Sequence, residues 1–387
     1  MTPPARYAAA IEVLDAVLAG LPAEKALTSW GRAHRFAGSG DRAALRDLVF
    51  DALRCRRSLA ALGGAETGRG LMIGALRRDR IDMATVFTGA GHAPAPVLPG
   101  EQALPGKPPD PVRLDLPDWL FEPFTQAFGP LTEHVLAVMQ ARAPVFLRVN
   151  LRRATPDQAV QSLAAEGIVA VAHPQVRTAL QVIDNERKIQ LSQAYLTGLV
   201  EVQDAASQAA VLRLPLRTGA RVLDYCAGGG GKALAMAALS DATIFAHDAD
   251  PRRMVDLAPR AARAGVQIDR VATADLPRMA GFDLIVLDAP CSGSGTWRRN
   301  PQAKWRLTPA ELDRLCALQA RILTEAVPLL APGGRLAYAT CSVFGVENAA
   351  QIDRFLQQNP AFRLCDDWQH RPDAAGDGFY LAQLSVA

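Results

Sequence analysis

From Arg217 onward the sequence alternates short apolar runs with helical stretches, and no other feature limits the fold as strongly. Strands are expected at Arg221–Tyr225, Thr243–His247, Arg270–Thr273, Phe282–Leu287, Arg335–Ala339 and Gly378–Leu384, with helices between most of them. Strand–helix alternation of this kind builds a doubly wound, mostly parallel α/β sheet. Such sheets bind ligands outside the carboxyl ends of their strands, so the residues that follow each strand carry the functional information.

The first strand runs into Asp224-Tyr225-Cys226-Ala227-Gly228-Gly229-Gly230-Gly231-Lys232. A glycine run at this point lets backbone approach a ligand closely. The second strand ends at Asp248, 24 residues after Asp224, where an acid is placed to accept hydrogen bonds from ribose hydroxyls. Asp275 follows the third strand and is placed to meet an adenine edge. A nucleoside-triphosphate loop would need Gly at position 226 and Ser or Thr at 233; the chain has Cys226 and Ala233, which excludes it. The spacing permits a nicotinamide cofactor, but nothing else points to hydride chemistry.

The fourth strand ends in Asp288-Ala289-Pro290-Cys291-Ser292-Gly293-Ser294-Gly295, and the fifth in Ala339-Thr340-Cys341-Ser342. If these strands are neighbours, Cys291 and Cys341 open on one cavity beside the cofactor. A thiolate is a strong nucleophile. Cytosine C5 is too electron-poor to attack a methyl sulfonium directly. Addition of a thiolate at C6 makes C5 nucleophilic, an acid such as Asp288 near N3 stabilises the adduct, and the C5 proton must then leave before the thiol departs. That last step gives work to a second thiol or a base. A buried structural cysteine is the simpler account of either residue alone, but two cysteines in Gly/Ser/Pro-framed turns after successive strands are hard to explain that way.

The rest of the chain is organised differently. Residues 5–90 are expected to be all-helical, with Ile11, Leu14 and Leu18 on one face and Leu45, Leu48, Val49 and Leu53 on another; Asp41 is the expected N-cap of the second run. Net charge is only +3, yet residues 1–80 hold thirteen Lys/Arg against eight Asp/Glu, a balance of +5. A basic module beside a near-neutral one suits a polyanionic partner. Residues 94–117 hold eight prolines and read as a linker or an extended ordered connection. A small α+β unit follows, with a strand at Phe146–Val149, a helix at Pro156–Glu166 and further short strands. No uncharged apolar stretch reaches membrane-spanning length, and no apolar segment follows Met1 as in an export signal. The six cysteines form no C-x-x-C pair or Cys/His cluster, so no metal is expected.

At this point the residues resemble a known family. Asp288 to Gly295, the Arg298-Arg299-Asn300-Pro301 and Lys304-Trp305 that follow, and Thr340-Cys341-Ser342 with Glu347-Asn348 resemble the Sun/Fmu (RsmB-like) RNA cytosine-5 methyltransferases. Val202-Gln203-Asp204 with Ser207-Gln208, Arg148-Val149-Asn150 and Asp377-Gly378-Phe379-Tyr380 match as well, and the helical start resembles a NusB-like RNA-binding domain. The resemblance implies a Rossmann-like class I methyltransferase domain over 191–387, a small α+β domain over 117–190, a Pro-rich linker over 93–116 and a NusB-like domain over 1–92.

It also implies S-adenosyl-L-methionine as cofactor, held by Cys226, Ala227, Gly228, Gly229, Gly230, Gly231, Lys232, Asp248, Asp275 and Asp288. Cys341 would be the nucleophile, Cys291 would assist breakdown of the adduct, Asp288 would orient the base, and Lys232 would face the substrate. The substrate would be RNA, most readily small-subunit rRNA, with tRNA as an alternative. A cytoplasmic monomer is expected, since one chain supplies the whole site. Arg298, Arg299 and Lys304, with the cations of residues 1–80, are expected on RNA phosphates, and Trp297 or Trp305 on bases. The family's glycine loop usually has Pro at the position of Gly229 and Ser/Thr at that of Ala233, differences expected to tune cofactor affinity. On the DNA cytosine-5 pattern the nucleophile would instead be Cys291. A non-catalytic RNA-binding assembly factor and a methyltransferase for proteins or small molecules are less well served by two cysteines and a full set of acids.

Overall fold

The computed structural model describes residues 1–103, 106 and 108–386. Two compact units result: Met1–Arg142 together with Trp297–Arg306, and Ala143–Thr296 together with Leu307–Ala387. Residues 104, 105 and 107, part of the expected linker, lie outside the described residues.

The first unit is helical, as the 3.6-residue spacing of its apolar residues predicts. Its principal helices are α1 (Pro3–Leu18), α2 (Ala23–Ala33), α3 (Ser39–Arg54), α4 (Arg56–Gly63) and α5 (Gly68–Arg78). Leu14, Leu45, Val49 and Leu53 are buried in its core, with Ile11, Leu18 and Leu48 packed partly buried against them. Asp41 does not cap α3. Gly38 holds that position, and Asp41 sits in the first turn, accepting from Arg6 Nε at 2.9 Å. The Pro-rich stretch is an ordered connection where described: Arg69 donates to the carbonyls of Ala95 and Pro96, and fully buried Asp115 accepts from Ser58 and Gln140. The helices Asp118–Phe128 and Thr132–Gln140, expected to open the small α+β domain, belong to this unit.

The second unit contains two sheets. The smaller comprises β1 (Val145–Val149), β2 (Val169–Ala172), β3 (Ala179–Asp184) and β4 (Val200–Val202), in the order β2-β3-β1-β4 and wholly antiparallel. β4 carries this sheet past the expected boundary at residue 190.

The larger sheet has seven strands: β5 (Arg221–Asp224), β6 (Thr243–Ala246), β7 (Asp269–Arg270), β8 (Phe282–Asp288), β9 (Leu330–Thr340), β10 (Phe362–His370) and β11 (Phe379–Val386), in the order β10-β11-β9-β8-β5-β6-β7. β9-β8-β5-β6-β7 are parallel and β11 and β10 antiparallel. Separate apolar cores cover its two faces. The strand order reverses between β5 and β8, so the crevice for a ligand lies at their carboxyl ends. β10 escapes sequence reading because Cys365, Asp366, Asp367 and His370 break its apolar pattern; it is a largely exposed edge strand.

Candidate active site

The loop after β5 is built for close approach. Gly228 (φ +51°) and Gly230 (φ +79°) take the left-handed backbone that glycine adopts without strain. A Cβ on Gly230 would meet Leu257 Cδ1 at 2.1 Å. The helix Gly231–Leu239 starts here, directly after the glycine turn. The start of this helix is held by the small sheet: buried Arg148 donates to the Gly231 carbonyl at 2.8 Å, and Asn150 donates to the Ala264 carbonyl at 2.8 Å. These contacts give Arg148-Val149-Asn150 its physical meaning. The two departures also find a setting. The Gly229 carbonyl accepts from Arg260, whose guanidinium would lie 3.0 Å from a Cβ at 229, and Ala233 is fully buried in the core.

Acids close the crevice. Asp224, 1% exposed, has neither carboxylate oxygen in a well-formed hydrogen bond. Burial, reinforced by the charge of Asp288 and opposed by Lys232, pushes its carboxyl up to about 7. An orphaned acid at the floor of a crevice is costly unless a ligand supplies a donor. Asp248, also buried, accepts from the amides of Gly228 (2.9 Å) and Asp250 (3.0 Å) and pairs with Arg253 at 3.0 Å. Asp275 is exposed in the turn after β7, 3.9 Å from Arg278. The glycine cradle, the donor-starved Asp224 and the acid ending β6 together fit a nucleoside cofactor that carries hydroxyl and ammonium donors. Cys226 shares this crevice, and burial followed by the charge of Asp224 pushes its thiol well above its usual range.

The chemistry-bearing residues meet on β8 and β9, which are parallel neighbours. Cys291 Sγ and Cys341 Sγ lie 3.4 Å apart. That contact is the main cause holding the Cys291 thiol well above its usual range, with burial second. Lys232 Nζ bonds Asp288 at 2.6 Å and lies 4.9 Å from the centre of the Phe379 ring. Burial works against the ammonium, but Asp288 and then Asp224 outweigh it and raise its pKa. The terminal motif thus places Phe379 under Lys232, while the Gly378 amide donates to the Gly295 carbonyl at 3.0 Å.

Glu347 and Asn348 have no task legible in the sequence. Glu347, fully buried, accepts from the Ser292 amide at 2.8 Å, from the hydroxyls of Ser292 and Ser342, and from Gln319 Nε2 at 3.0 Å. Thr340 Oγ1 donates to Asn348 Oδ1 at 2.6 Å, and Asn348 Nδ2 donates to the Ser342 carbonyl at 3.0 Å. The signal available in the sequence was the repeated Cys-Ser pair, Cys291-Ser292 and Cys341-Ser342.

The expected phosphate contacts need correction. Arg298 and Lys304 are 2% and 5% exposed and sit inside the helical unit. The Arg298 carbonyl accepts from Arg54 Nε at 2.7 Å. Lys304 Nζ donates to the Arg54 carbonyl at 3.1 Å and lies 4.4 Å from the Trp305 ring centre, and burial lowers its pKa to about 8. Trp297 is a core residue at 2% exposure, and Trp305 spends its indole N–H on the Leu53 carbonyl at 2.7 Å. Arg299 alone of the three cations is exposed. Much of the positive charge of residues 1–80 is neutralised locally: Arg6, Arg46, Arg56, Arg57, Arg69 and Arg78 each pair with a carboxylate. Lys25, Arg32 and Arg35, on α2 and the loop after it, are exposed and make no ion pair within 4.0 Å among the described residues, and Phe36 beside them is 72% exposed.

The strand order, the glycine turn after β5 and the acids ending the following strands define the class: a Rossmann-like methyltransferase domain. Residues 211–384 match the 16S rRNA methyltransferase RsmB/F family model, and residues 116–190 its ferredoxin-like domain. The chain belongs to the RsmB/F methyltransferase family.

Among curated relatives it is 35% identical over 282 residues to Ribosomal RNA small subunit methyltransferase B of Salmonella arizonae, covering 69% of this chain and 66% of that protein. The protein of the same name from Erwinia tasmaniensis is 35% identical over 283 residues, with the same coverage. The match therefore spans just under two thirds of these relatives. The crystal structure of PH0851 superposes with a TM-score of 0.78 at 24% identity, covering 99% of both chains. A methyltransferase homolog protein from Pyrococcus horikoshii superposes with a TM-score of 0.62 at 25% identity, over 72% of this chain and 97% of that one.

Proposed function

We propose that this protein transfers a methyl group from S-adenosyl-L-methionine to C5 of a cytosine in RNA, most readily small-subunit rRNA. The observation that carries the reading is the 3.4 Å contact of Cys291 and Cys341 on adjacent strands, in the unit that also holds the Lys232–Asp288 pair. The names of the curated relatives support rRNA as the substrate class.

The cofactor supplies a methyl group on a sulfonium. Gly228 to Gly231 would take its amino-acid and ribose portions, Asp248 its ribose hydroxyls, and Asp224 a ligand N–H or O–H donor. Cys341 would add to C6 of the base, and C5 would then take the methyl carbon as its bond to the cofactor's sulfonium sulfur breaks, with the cofactor leaving as the neutral thioether. Asp288, oriented by Lys232, holds the base edge near N3. A base removes the C5 proton, the Cys341–C6 bond breaks, and Cys291 is placed to return a proton to the departing sulfur. The target base must be unpaired or flipped to enter. Lys25, Arg32 and Arg35 replace Arg298 and Lys304 as the phosphate contacts, with Phe36 as a stacking surface.

Covalent trapping tests the reading. Wild type, Cys291→Ala and Cys341→Ala are incubated with S-adenosylmethionine and cellular RNA lacking the modification, then resolved on denaturing gels. The expected result is an RNA adduct that persists in Cys291→Ala and is absent in Cys341→Ala. An adduct through Cys291 would reverse the roles of the two thiols; neither adduct nor methyl transfer with RNA or assembling subunits would overturn the enzyme reading.

A further inference from the structure

The two cysteine turns are joined by a single carboxylate. Ser292 follows Cys291 and Ser342 follows Cys341, and both serines donate to Glu347. The remaining hydrogen bonds leave little freedom. The Ser292 hydroxyl also accepts from the Ser294 amide, the Ser342 hydroxyl from the Phe344 amide, and the Ser294 hydroxyl from the Val343 amide. Ser294 Oγ lies 3.0 Å from Ser342 Oγ and the Gly295 amide donates to the Cys341 carbonyl at 2.9 Å, so the turns are stitched to each other as well.

A fully buried carboxylate is normally matched by a cation. Glu347 makes no ion pair within 4.0 Å among the described residues; four donors from three segments replace it.

Charges around the thiols are arranged unequally. Glu347 acts on Cys291, whereas Lys232 on the opposing helix is influenced by Cys341. Among the neighbouring ionisable groups, Asp288 and Asp224 act on Lys232, Tyr338 lies by Cys291, and Cys316 lies near Glu347.

We infer that Glu347 is a positioning residue that sets the spacing of the two cysteine turns and makes Cys291 the S–H donor and Cys341 the acceptor in their contact. Its negative charge disfavours a second anion at Cys291, and its two serine contacts fix the turns that carry both thiols. The asymmetry prepares Cys341 to attack and keeps a proton on Cys291 for the departing sulfur, a consequence that rests on the two-cysteine reading above. The arrangement of the thiols can be measured without RNA or cofactor.

The experiment is alkylation of the full-length protein by iodoacetamide across a pH series, with each cysteine followed by peptide mass spectrometry. In wild type Cys341 is alkylated before Cys291. In E347Q the glutamine oxygen can still accept from the Ser292 amide and Gln319, and the serine hydroxyls can rotate to accept from its NH2. The fold is therefore retained while the charge is lost. Preference for Cys341 should fall on the order of tenfold, as for a shift of one pKa unit between the two thiols, and kcat for methyl transfer should fall with KM little changed. A folded E347Q with wild-type selectivity and pH profile would overturn the inference. So would equal alkylation of Cys291 and Cys341 in wild type, which decides the matter should E347Q not fold. Failure of the adduct experiment with normal alkylation selectivity would instead remove only the catalytic reading.

Discussion

Asp224 is the residue whose environment asks most for a ligand. Its carboxyl is raised to about 7 by burial first and by Asp288 second, while an unfolded aspartate titrates near 4. For a group raised on folding, the stabilising contribution is complete below the unfolded pKa and is lost as pH climbs through the folded one. Between about pH 4 and 7 this single group therefore costs stability progressively. Asp224→Asn is predicted to melt above wild type at pH 8, with the gap closing toward pH 4, and to bind S-adenosylmethionine more weakly by calorimetry. A gap that does not change with pH would show that the acid is better satisfied than its surroundings indicate. Cys226 is held protonated by burial and by Asp224, whereas Cys341 and Cys291 are set apart by their 3.4 Å contact on adjacent strands.

At the scale of elements, the turn between β5 and the helix Gly231–Leu239 concentrates the constraints. Gly230 combines a left-handed backbone with a Cβ position now filled by the tip of buried Leu257, which would have to shift. Gly230→Ala should cost on the order of 1–3 kcal/mol of stability from backbone strain and overpacking, and should weaken cofactor binding because the turn must move. Thermal melts and cofactor titration check both; an unchanged cofactor affinity would remove this turn from the binding site. Strand legibility followed patterning. β5, β8 and the end of β9 are apolar and were readable, whereas β10 carries Asp366, Asp367 and His370 and pairs only along one edge. An Asp followed by an apolar-periodic run reads as a cap, yet Asp41 lies in the first turn of α3, where it accepts from Arg6.

At the scale of the molecule, the stretch Trp297–Arg306 leaves the unit that contains the Cys291 turn and is built into the helical unit. Lys304 serves that packing through the Arg54 carbonyl. Lys304 is held near pKa 8 by burial, so its contribution is the reverse of Asp224: this lysine costs stability below about pH 8, a cost that lessens as pH rises from about 8 toward the usual lysine range. Lys304→Met should leave the salt dependence of RNA binding unchanged. The double variant Arg32→Ala, Arg35→Ala should reduce the slope of log affinity against log salt by about 1.4–1.8, the value for losing two phosphate contacts. Filter binding over a salt series separates the two; an unchanged slope in the double variant would place the RNA elsewhere.

The sequence by itself determined the doubly wound sheet, the glycine turn, the acids that end successive strands and the two cysteine turns, because each is written in residues close together along the chain. Periodicity, turn chemistry and residue type are local properties. Tertiary structure decided the rest. Arg298 and Lys304 read as surface cations in the sequence yet are buried, Lys304 against the Arg54 carbonyl, since burial depends on what packs from outside the segment. The two thiols became a pair only when β8 and β9 were seen to be neighbours, and Glu347 acquired its place only when Ser292 and Ser342, 50 residues apart, were found on the same carboxylate.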